Sequence, residues 1–117
     1  MPANKFRADV FEVRDELRRA EAALDIRRYD LAIEILREML KHYPENAAVF
    51  YTLARAYIYK KNYPDARQAV RESLRLDPGS SQSHTLYGNI LSNMGKLREA
   101  EAAYRTSLEL VPTNAYT

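Results

Sequence analysis

The chain of 117 residues contains no cysteine, so disulfides, thiolate metal sites and cysteine nucleophiles are all excluded. Its two histidines, His42 and His84, stand far apart and outside any Glu-rich or His-x-His context, so no zinc or di-iron site is expected. Three glycines are too few for the Gly-rich loops that cradle phosphates, and no cofactor is expected. No window approaches the roughly 18 uninterrupted apolar residues of a membrane span, so membrane insertion is not expected. The stretch from Met1 to Ala20 holds Lys5, Arg7, Asp9, Glu12 and Arg14 and lacks the apolar core of a secretory leader, which points to a cytoplasmic setting. Charge of one sign is also scarce. Eighteen Lys and Arg against 16 Asp and Glu leave a net charge of +2. That balance does not favour a polyanion, and nucleic acid is an unlikely partner on these grounds.

What the sequence does have is a period. Ala32, Ala66 and Ala100 recur at a constant interval, as do Pro44, Pro78 and Pro112. Leu40, Leu74 and Leu108 keep the same interval, and so do Tyr29, Tyr63 and Leu97. Leu36, Val70 and Tyr104 form another column, and the small residues Ala20, Ala54 and Gly88 a sixth. Six columns in one phase define a unit of structure that occurs more than once.

Within that unit the local pattern is helical. Phe50, Leu53, Ala54 and Tyr57 fall on one stripe, which Asn62-Tyr63-Pro64 interrupts. Ala66, Val70 and Leu74 start a second stripe, closed by Asp77-Pro78-Gly79. Met94-Gly95 marks the corresponding turn further on, where glycine tolerates positive φ. The small column lets paired helices approach closely. Each proline disfavours helical geometry in the residue before it and so ends a second helix. No strand-like alternation competes.

This period and these residue types resemble the tetratricopeptide repeat, a helix–turn–helix unit of about 34 residues. The resemblance covers nearly the whole chain as one domain, residues 1–117: repeats at 13–46, 47–80 and 81–114, after a helical N-terminal extension over 1–12. It implies an all-α, right-handed solenoid of about six antiparallel helices. The first helix departs from the family pattern, with Glu16 and Arg19 where large apolar residues are usual. Its apolar residues are Phe6, Val10, Val13, Leu17, Ala20 and Leu24, a heptad-like seam. Two readings of that seam stay open, a longer helix following its own core or a surface that meets another chain.

Catalysis finds no foothold. Ser80, Ser81 and Ser83 lie near His84, but no motif places a nucleophile, a base and oxyanion donors together, and the expectation is a non-enzyme. Serine there caps a helix. The resemblance implies instead that the first helix of each repeat lines a concave groove. Leu17, Glu21 and Leu24, then Tyr51, Thr52, Arg55, Ile58 and Tyr59, then Leu86, Asn89 and Asn93 would face a partner there. Tyrosine suits binding surfaces through its large area, low entropy cost and polar tip. Some members of the family clamp a terminal carboxylate with lysine, asparagine and arginine. The matching places here hold Leu17, Glu21, Thr52, Gln82 and Leu86, none of them basic, so that activity does not carry over.

The expected function is therefore a protein-interaction scaffold that takes a peptide or helix of a partner in its groove. Self-association is also expected, because Tyr104, Leu108 and Val111 would leave apolar area uncovered. Two other functions stay open. One is a nucleic-acid or ribonucleoprotein adaptor using the Arg67, Arg71 and Arg75 ridge, and the other a regulatory domain of a larger enzyme.

Overall fold

The structure, a computed structural model, describes residues 2–111, with side chains from Glu12 onward. Six helices follow one another: α1 Pro2–Asp25, α2 Tyr29–His42, α3 Ala47–Tyr59, α4 Tyr63–Leu76, α5 Ser81–Asn93 and α6 Leu97–Leu110. There is no strand among the described residues. Polar side chains start three of these helices. Asn46 accepts from the Val49 amide at 3.1 Å, Asn62 from Asp65 at 3.5 Å, and Ser80 from Ser83 at 3.2 Å. Each satisfies an amide that the first turn leaves without a partner. Pro44 and Pro78 follow the ends of α2 and α4, while Pro112 lies outside the described residues.

The turns within each helix pair share one geometry. Arg27, Lys61 and Gly95 occupy one column of the period, and all take positive φ, at 64°, 60° and 79°. Left-handed backbone costs an L-residue roughly 1–2 kcal/mol, and only the third position removes that cost by lacking a Cβ.

Packing is local along the chain. Each helix packs on the next, and α1, α3 and α5 also touch in succession, so they form an inner layer with α2, α4 and α6 outside it. Such an all-α solenoid gains stability from each pair and from each junction between pairs. The core runs through those junctions, with Leu36, Val49, Val70 and Ile90 wholly buried. Each pair also closes through its small column. A Cβ on Gly88 would sit 2.6 Å from the Tyr104 ring, so glycine there matches a large partner where Ala20 and Ala54 match Leu36 and Val70. Tyr104 is therefore half-buried against α5 and not the uncovered residue expected from the sequence.

The seam on α1 faces its own molecule over its described part. Ala20 and Leu24 are buried, and Val13 and Leu17 pack against the same core. Phe6 and Val10 lie outside the described side chains. Glu16 and Arg19 point away and pair with each other at 2.9 Å.

Candidate functional site

The inner layer carries the groove residues on α1, α3 and α5, and burial sorts them. Leu24 and Thr52 are 5% and 2% exposed, so they belong to the core and offer a partner no surface. Thr52 spends its hydroxyl on the Ala48 carbonyl at 3.0 Å, the back-bonding that lets a small polar residue sit inside a helix stack. Leu17 and Leu86 are half-buried and packed against the core, while Glu21, Asn89 and Asn93 are exposed. Asn89 already accepts from the Tyr104 hydroxyl at 2.5 Å, and the Asn93 amide donates to the Asn89 carbonyl at 2.8 Å.

On α3 the expected trio of Tyr51, Arg55 and Tyr59 divides. Tyr59 stacks on Tyr29 of the preceding pair, with centroids 5.1 Å apart and planes 9° from parallel. Beside that stack Lys60 pairs with Asp30. Tyr59 is thus committed at the turn edge, where the last turn of α3 meets the preceding pair. Tyr51, Arg55 and Ile58 remain together at spacings of four and three, all half-buried. Arg55 makes no hydrogen bond or ion pair among the described residues, and none joins it to Glu21. Tyr51 also borders a cavity of about 170 Å³ with Ala48, Ser80 and Gln82 on its rim. The floor of that cavity is polar and satisfied. Ser73 donates to the Ala47 carbonyl at 3.0 Å and lies 3.1 Å from the Ser83 hydroxyl.

The arginine ridge on α4 does not present three free cations. Arg75 reaches Glu72 at 3.1 Å and Glu45 at 3.5 Å, and the Glu72 hydrogen bond holds its guanidinium above the usual value. Sequence spacing placed Arg75 beside Arg71 but could not show Glu45 arriving from the loop between α2 and α3. His84 keeps its ring nitrogen 2.9 Å from the Pro78 carbonyl, a helix-entry contact. Among the described residues no group of His, Asp and Glu could hold a metal ion, and no helix is long and apolar enough to cross a membrane.

Sequence reasoning missed Leu97. It is 66% exposed and Leu108 is 72% exposed, whereas their counterparts Tyr63 and Leu74 on α4 are half-buried. The signal was present, since Leu97 shares a column with Tyr29 and Tyr63.

A stack of helix pairs with a constant sequence period and an inner layer of first helices defines an all-α repeat protein of the solenoid type. Tetratricopeptide repeat profiles match residues 23–90 and again residues 81–114, and the chain belongs to that family. It is 28% identical over 88 residues to the human protein O-mannosyl-transferase TMTC2, covering 73% of this chain and 10% of that protein. It is likewise 28% identical over 94 residues to the heat shock protein STI1 of Saccharomyces cerevisiae, covering 80% of this chain and 16% of that protein. The chain therefore spans a small part of either relative. Among solved structures it resembles the second tetratricopeptide domain of Spaghetti (RPAP3) bound to the HSP90 peptide SRMEEVD. That match has a TM-score of 0.83 at 23% identity and covers 95% of this chain and 100% of the other.

Proposed function

We propose that this chain is a non-enzymatic interaction module, in the cytoplasm, that holds a segment of a partner protein across its inner face. We read each helix pair as one repeat, with boundaries 13–46, 47–80 and 81–114. The observation that carries the reading is Arg55, half-buried yet without a hydrogen bond or ion pair among the described residues, between Tyr51 and Ile58. A guanidinium held that way gains most from a carboxylate brought to it, because charge-assisted hydrogen bonds are about twice as strong as neutral ones. Tyr51 supplies ring area beside it, and Leu17, Leu86 and Ile58 supply apolar contacts. The partner segment has an apolar stripe and an acidic side chain set to meet Arg55. Its free terminus is not what is read, since Leu17, Glu21, Thr52, Gln82 and Leu86 contain no cation to clamp a terminal carboxylate. Self-association belongs to the same reading, because Leu97 and Leu108 leave the last pair uncovered.

The test is a displayed peptide library selected on the wild-type protein. Tyr51→Ala with Arg55→Ala should lower the affinity of selected peptides about thirtyfold or more, as loss of a hot spot does. The helical circular-dichroism signal should stay unchanged. The peptide SRMEEVD should bind no better than a scrambled control. Undiminished binding by the folded double variant moves the site off this face.

A further inference from the structure

We propose that the chain forms a two-fold dimer through α6, which packs antiparallel on α6 of a second copy. The proposal rests on the self-association just stated and supplies its surface and geometry. Leu97, Glu101, Arg105 and Leu108 follow one another at spacings of four, four and three, so they lie on one side of α6. All four are open to solvent. Leu97 and Leu108 are 66% and 72% exposed, and the side chains of Glu101 and Arg105 are 74% and 68% exposed. On α4 the positions matching the two leucines are half-buried, and the helix that packs over α4 is α5.

Two features of this stripe select a second copy as its cover. The first is direction. In the stack each helix reverses into the next, so the helix covering α2 or α4 runs opposite to it. A two-fold axis perpendicular to α6 brings α6 of the second copy in with that same reversed direction. The second is the order of residues, which is self-complementary. Antiparallel pairing with Leu97 opposite Leu108 of the other copy centres the axis between residues 102 and 103. The same register sets Glu101 beside Arg105 of the other copy and Arg105 beside its Glu101. Within one chain those two side chains already approach to 3.5 Å, so the dimer gathers four charges into one alternating network between two leucine contacts. An isologous interface of this kind closes on itself and stops at two. By contrast, the described outer side of α1 offers Glu16 and Arg19 paired with each other, a poor match for the leucines of α6 in a head-to-tail chain of copies.

With 14 residues, α6 is about 21 Å long, so the interface is smaller than the roughly 1,600 Å² of a standard complex. The dimer is accordingly weak, and its mass in sedimentation equilibrium should climb from 13.5 kDa toward twice that between about 5 and about 500 µM. Glu101→Arg and Arg105→Glu should each weaken association at least tenfold, since either change sets like charges against each other. An equimolar mixture of the two variants should associate at least as well as wild type, because every facing pair is then opposite in charge. Leu108→Lys, at an exposed position that no fold contact needs, should also weaken association at least tenfold.

A wild-type chain that stays at 13.5 kDa throughout overturns the proposal and leaves the face to a helix of some other protein. So do single reversals that dimerise like wild type, a mixture of folded variants that fails to associate, or species that keep growing beyond two chains. If a reversal variant loses its helical signal, the folded Leu108→Lys chain decides. No groove ligand is present in this experiment, and Tyr51→Ala with Arg55→Ala should dimerise like wild type. Failure of the dimer is therefore distinct from failure of the inner-face site.

Discussion

The two ends of the helix stack are built differently. At the first end, α1 turns Glu16 and Arg19 outward, paired at 2.9 Å, in places where the middle pair has Phe50 and Leu53 lining a cavity shared with Arg37 of the preceding pair. At the last end, α6 keeps the leucines of an interior pair although nothing among the described residues covers them. A solenoid in which each pair touches only its neighbours has two ends that must either be polar or be covered. The first end is polar by substitution. The last end retains the interior pattern, which makes it the side of the molecule where additional contacts are expected.

This comparison can be broken at one column. Leu36, wholly buried, sets the upper scale, and Leu36→Ala should cost about 3 kcal/mol in urea unfolding. Leu74→Ala, half-buried against the following pair, should cost about 1.5 kcal/mol. Leu108→Ala, its counterpart on α6, should cost less than about 0.5 kcal/mol at low micromolar protein, where the chain is monomeric. Equal losses at Leu74 and Leu108 would mean that the last face is covered within a single chain.

The intra-pair turns sharpen the same contrast by about 1 kcal/mol. Gly95 carries φ 79°, and Gly95→Ala should lower stability by about that amount, while Lys61→Gly at φ 60° should raise it by about 0.5 kcal/mol. If neither changes the melting temperature, the turns are not where the pairs differ. The smallest effect on stability belongs to the polar end. An exposed ion pair contributes little, so Glu16→Leu with Arg19→Leu should shift stability by under about 0.5 kcal/mol. The same change gives α1 an apolar outer side, and the concentration dependence of the mass should then extend beyond two chains. A variant that sediments like wild type would show that polarity at this end does not limit association.

The sequence by itself determined the period, the pairing of helices and most of the core. These follow from local physics repeated at a fixed interval. Asn46, Asn62 and Ser80 each start a helix through an amide in the turn that follows, and Ala20, Ala54 and Gly88 admit a closely packed partner helix. The inner face was legible in part, since α3 offers Tyr51, Arg55 and Ile58 by spacing alone. Only the tertiary structure decided the contacts that bring separate pairs together. Thr52 is buried because its neighbours close over it, Tyr59 is taken up by Tyr29 from the preceding pair, and Arg75 meets Glu45 in addition to Glu72 of its own helix. Each of these depends on the angle between one pair and the next, which no residue sets alone.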